Sequence, residues 1–92
     1  MKELIIVSTE VKEENEDRYS KIIKFTFDGF KCTYIASNYC GIRTFNVLYG
    51  LKYAVWTEAI GWWNTDTRFD KEKDKEFLEA FRNKFGIKIP AV

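Results

Sequence analysis

The pair Asp28-Gly29 constrains this chain more than any other feature. It joins two alternating runs, YSKIIKFTF before it and FKCTYIAS after it. Both central positions of a type I′ hairpin need positive φ, which Asp-Gly supplies at little steric cost. A two-residue loop at 28–29 sets the register: Phe27 opposite Phe30, Phe25 opposite Cys32 and Ile23 opposite Tyr34. Those large apolar groups then share one face, while Thr26 with Lys31 and Lys24 with Thr33 share the other, as a half-exposed sheet requires.

Upstream, LIIVSTEVK (residues 4–12) begins apolar on both sides and then alternates through Val7, Thr9 and Val11, the pattern of a strand whose first half is covered on both faces. The acidic segment EENEDR (13–18) reads as a solvated turn or hairpin loop. Downstream, the last segment has the clearest helical pattern: Phe77, Leu78, Phe81 and Phe85 recur at helical spacing, Asp70 or Thr67 can cap the start, and Gly86 and Pro90 end it. Along its outer side Lys71, Lys75 and Arg82 form one ridge, and Glu72, Glu76 and Glu79 the next, a division most simply read as a solvated face.

Between these elements, residues 37–64 hold all three tryptophans but only three charged side chains, Arg43, Lys52 and Glu58. The stretch supports two readings. With period two it alternates through Phe45, Val47 and Tyr49, as a strand or as a hairpin turning near Gly50. At about 100° per residue, Asn46, Gly50, Ala54, Thr57, Gly61 and Asn64 gather on one small or polar side, as in an amphipathic helix. A run this long without an evident stop exceeds an ordinary strand, and Thr44 can cap it. The expectation is therefore a helix from about Thr44 to Trp63, despite a cost near 1 kcal/mol for each internal glycine. In that helix Lys52 divides an aliphatic half suited to the sheet from a half bearing Tyr49, Tyr53, Trp56 and Ile60.

The expected fold is α+β: one domain over residues 1–92, with a small antiparallel three-stranded β-sheet covered on one face by two α-helices. A chain of this length hides roughly 60 to 65% of the surface that its unfolded state exposes. Aromatic residues make up 17% of it, more than such a core readily encloses.

Composition excludes several chemistries. There is no histidine, and two cysteines cannot complete a zinc site. Cys32 reads as a small core hydrophobe and Cys40 as an accessible loop thiol, both reduced. Residues 64–70 place oxygen ligands at alternate positions but put Arg68 and Phe69 where a calcium loop needs a ligand and a glycine. No phosphate-binding glycine loop or dinucleotide fingerprint occurs. The expectation is a protein with no catalytic residues, no metal and no cofactor, located in the cytoplasm and away from the membrane.

Formal net charge is +1: residues 1–28 carry +5 and −7, residues 29–64 carry +3 and −1, and residues 65–92 carry +7 and −6. No global field draws the chain to nucleic acid. Tyrosine, tryptophan and arginine dominate interface hot spots, and Tyr39, Arg43, Tyr49, Lys52, Tyr53, Trp56 and Trp63 are the expected partner-binding residues. The reading is a small protein-interaction module, a non-catalytic inhibitor or adaptor of a larger protein, of the kind carried by phages and other mobile elements. A homodimer through the same surface fits the same residues. The alternative is a single-stranded nucleic-acid binder, with Tyr34, Tyr39, Arg43, Lys52 and Tyr53 as a stacking and clamping set.

Overall fold

A computed structural model describes residues 2–92. Six strands run in chain order: β1 (Leu4–Asn15), β2 (Arg18–Phe27), β3 (Phe30–Tyr39), β4 (Ile42–Tyr49), β5 (Lys52–Ala59) and β6 (Trp62–Thr67). Each pairs antiparallel with the next, so the sheet is an open meander with β1 and β6 at its edges. One helix, α1 (Lys75–Phe85), follows and lies across one face.

The hairpin register is the one that Asp28-Gly29 demands. Phe25 stands opposite Cys32, Ile23 opposite Tyr34 and Lys24 opposite Thr33, and φ is positive at both Asp28 and Gly29. Cys32 is buried and Cys40 is exposed, and both are free thiols. The second face also holds an apolar pair, Ile22 opposite Ile35.

The three-stranded sheet with two helices is corrected, because residues 44–63 form no helix. They make most of β4, all of β5 and the start of β6, turning at Gly50-Leu51 and Ile60-Gly61. With the Cys40-Gly41 turn, every connection from β2 to β6 is a two-residue loop containing a glycine at positive φ. Glycines at 29, 41, 50 and 61 thus fall at the turn spacing of a meander. Each loop also shifts the parity of the alternation. Phe45, Val47 and Tyr49 face the helix before the Gly50 turn, and Lys52, Ala54 and Trp56 face it afterwards. Read without the turn, Tyr53 and Val55 would share a face with Tyr49; they lie on the opposite one.

The core is one-sided and aromatic. Phe77 stacks on Tyr49 at 4.4 Å and on Phe69 at 5.3 Å between ring centroids, and meets Phe27 edge-on at 5.4 Å. One turn on, Phe81 meets Tyr34 at 5.0 Å. Spacings of four residues put Phe77, Phe81 and Phe85 on one stripe of α1, which is why a single short helix can close this face.

The two ends of α1 are built differently. Gly86 (φ 72°) adopts the left-handed cap, and its N–H donates to the Arg82 carbonyl at 2.8 Å. At the start, Asp70 closes the preceding turn rather than the helix: its carboxylate accepts the Glu72 and Lys73 N–H groups, both at 2.8 Å, which hold it below the ordinary carboxylate range. Asp74 occupies the cap position but makes no side-chain bond to the helix. Its buried carboxylate instead pairs with Lys52 and accepts the Asp70 N–H.

Strand β1 is corrected in its surroundings. It is an edge, and Ile5, Ile6, Val7 and Val11 are exposed rather than covered on both faces. The register shifts between Ile6 and Ser8, leaving Val7 as the extra residue of a bulge.

Among the described residues, the face opposite α1 carries no helix. Its side chains fall in rows across the strands. Ser20, Ser37, Thr44, Thr57 and Asn64 are successive cross-strand partners, a polar band beside the apolar pair Ile22 and Ile35. Such mixing suits an antiparallel sheet with one face in water.

Candidate interaction surface

The meander has two ends. The turns at 28–29 and 50–51 lie at the end where α1 begins, since Phe27 and Tyr49 both touch Phe77. The turns at 16–17, 40–41 and 60–61 lie at the other end, where the Cys40 N–H donates to the Asp17 carbonyl at 2.7 Å. At this second end the strands outrun the helix, and the large apolar side chains stay in solvent. Ile60 is 106% exposed, Trp63 71%, Tyr39 59% and Trp62 51%.

Register sorts these groups onto two sides of the sheet. On the helix side of the sheet, but beyond the helix, Arg43 stands opposite Glu58 and Glu58 opposite Trp63. Arg43 donates to the Glu58 carboxylate at 3.0 Å, and the pair lines a shallow depression of about 200 Å³ with Ile60 and Trp63. On the open side Tyr39 stands opposite Ile42, and Ala59 opposite Trp62. The Arg18 guanidinium lies 4.6 Å from the Tyr39 ring centroid and donates to its hydroxyl at 3.2 Å, with Glu14 at 3.7 Å. Both arginines at this end are therefore charge-balanced by a neighbouring carboxylate.

The residues singled out from the sequence separate into three places. Tyr39, Arg43 and Trp63 all lie at the helix-free end, Arg43 and Trp63 lining one depression on the helix side and Tyr39 on the open side. Tyr49, Lys52 and Trp56 face α1 or its flank: Tyr49 stacks on Phe77, Lys52 is tied to Asp74, and Trp56 is 5% exposed with its ring 5.2 Å from Phe45. Tyr53 projects from the open face, donating to Asp66 at 3.1 Å and accepting from Arg68 at 3.3 Å. That hydrogen bond is the main reason the Arg68 guanidinium is held above its ordinary range. Ile42, Ile60 and Trp62 complete the exposed end. The signal for them was the pair of glycines at 41 and 61, which turn the chain back at the same edge.

No protein-family model matches this chain, and no curated protein and no solved structure matches it.

Burial pushes the Cys32 thiol up to about 11, so it stays protonated at neutral pH. Among the described residues no three His, Cys, Asp or Glu side chains converge on a point where a metal could sit. No helix among them is long and apolar enough to cross a membrane.

Proposed function

We propose that this protein is a protein-interaction module that binds a larger protein through the helix-free end of its sheet, acting as an inhibitor or adaptor rather than as an enzyme. One observation carries the reading: two tryptophans, a tyrosine and two isoleucines stand exposed at that end, spread over its two sides. Such groups supply most of the energy of protein interfaces once a partner excludes water around them. Balance of charge supports a protein over a nucleic acid here. Arg43 and Arg18 each already face a carboxylate, which leaves no free cation among them for a phosphate backbone.

The nucleic-acid alternative draws on the open face, from which Tyr39, Tyr53 and Trp62 all project. It is weaker in its clamping set: Tyr34 is buried, Arg43 is paired with Glu58 and Lys52 with Asp74. The two readings part in one experiment. Affinity capture from cells of the source organism is run with the wild-type chain, with Trp62→Ser/Trp63→Ser and with the Lys31→Ala control, beside titration of labelled single strands at low and high salt. Capture of one protein by wild type and control, lost in the tryptophan variant at unchanged melting temperature, is the expected result. Capture that survives the double substitution, or salt-sensitive strand binding without protein capture, would sink the interaction reading.

A further inference from the structure

The C-terminal segment does more than end the fold. After Gly86 the chain turns back along α1, and its last residues are fastened to the segment that precedes the helix. Val92 N–H donates to the Phe69 carbonyl at 3.0 Å, the Lys71 N–H donates to the Val92 carbonyl at 2.8 Å, and the Thr67 hydroxyl donates to the Pro90 carbonyl at 2.8 Å. Ile89 is buried beneath. Between this strap and the helix runs a groove of about 620 Å³. Because hydrogen bonds fasten the strap to the segment leading into the helix and Ile89 is buried under it, the groove is formed before anything enters it.

Its chemistry is divided. Leu78, Ile89, Pro90 and Ala91 give it an apolar floor, while Lys71, Lys75, Arg82 and Lys88 rim it. Lys75, Leu78, Glu79 and Arg82 follow at offsets of three and four residues, one stripe of α1, and Lys88 answers from the opposite wall. Glu79 is the one acid among the lining residues. The four cations less that acid leave a side-chain charge of +3 on the groove, from a chain whose total is +1, so the remaining side chains sum to −2. Among the described residues, none of the four cations lies within ion-pair distance of a carboxylate, unlike Lys2, Arg18, Arg43 and Lys52, which all do. Positive charge is thus concentrated and uncompensated here.

We propose that this groove is a docking site for an extended acidic peptide whose glutamate or aspartate residues alternate with aliphatic ones. Alternation would place carboxylates against the lysine and arginine rim and aliphatic side chains on the floor. The floor decides between this partner and a nucleic acid: it is aliphatic throughout, with no exposed ring on which a base could stack. The groove shares no residue with the tryptophan end, so the proposal holds or fails independently of the function proposed above.

The test uses the full chain and three fluorescently labelled probes: an octapeptide alternating glutamate and leucine, one alternating glutamate and serine, and a thymidine octanucleotide. Anisotropy titrations should show the Glu–Leu peptide binding at least about tenfold more tightly than either other probe, with affinity falling as salt screens the rim. Lys75→Glu/Arg82→Glu, two exposed positions whose folding is checked by circular dichroism and thermal melting, should weaken the Glu–Leu peptide by about tenfold or more. Lys88→Glu, on the other wall, should do so in the same direction. Equal binding of the Glu–Ser peptide would mean that the floor plays no part, tighter binding of the oligonucleotide would mean a phosphate surface, and an affinity unmoved by the charge reversals would place the peptide elsewhere. Any of these overturns the proposal.

Discussion

The two ends of the sheet use the same kinds of residue to opposite effect. Where α1 lies across it, Phe25, Phe27, Tyr34, Tyr49, Phe69, Phe77 and Phe81 enclose one another, and most of these rings are fully buried. At the far end Tyr39, Ile42, Ile60, Trp62 and Trp63 have no second layer to meet. An eleven-residue helix covers only part of strands that are up to twelve residues long. Aromatic content alone therefore says little about burial. What matters is whether another element stands within reach, and among the described residues none does so at the far end.

The sharpest way to break the comparison is to cut into the covered end. Phe77→Ala removes the ring on which Tyr49 and Phe69 stack, and should cost about 3–5 kcal/mol in a urea titration. A cost below about 1 kcal/mol would mean that the helix does not close this core.

Alkali provides a second, smaller probe. Burial pushes the Tyr34 hydroxyl up to about 12 from 10.0. A raised value for an acid means that the folded state resists ionisation, so its stability is complete below about pH 10 and falls as the unfolded chain ionises between pH 10 and 12. The loss should reach roughly 2–3 kcal/mol by the upper limit, and Tyr34→Phe should remove that share of it in denaturation curves recorded across this range. Cys32, raised to about 11 by burial, acts in the same sense from pH 9 upward.

At the exposed end the expectation is nearly nothing. Trp63→Ser should change unfolding free energy by no more than about 0.5 kcal/mol, because that side chain gains little from folding. A substantially larger loss would show that Trp63 supports the fold, and would erase the distinction between the two ends.

How far these features could be read in advance depends on how local their causes are. The 28–29 hairpin was legible to the residue, since a two-residue turn sets cross-strand partners by counting. The last helix was legible for a similar reason: its stripe repeats every four residues and its terminating glycine is specific. Residues 44–63 were misread because their small residues, Asn46, Gly50, Ala54, Thr57 and Gly61, coincide with a helical face as well as with turns and strand positions. Glycine spacing at 29, 41, 50 and 61 was the discriminating sign, and it outweighs the moment of any one window. Strand β1 was misread in its surroundings: a start apolar on both sides shows that a strand can be buried on both sides, not that anything is present to bury it.

The candidate surface divides along the same line. Tyr39, Arg43 and Trp63 were identifiable by residue type, but Trp56 and Tyr49, of the same types, are packed beside or beneath the helix. Lys52, expected among the partner-binding residues, reaches Asp74 across 22 positions of chain. By itself, then, the sequence determined the turns, the register of the first hairpin and the one stripe that makes α1 amphipathic, because each of these depends on neighbours within a few residues. Only the tertiary structure decided which aromatic groups are core and which face solvent. That outcome depends on where a single short helix comes to rest on a sheet longer than itself, and residues far apart in the chain settle its position.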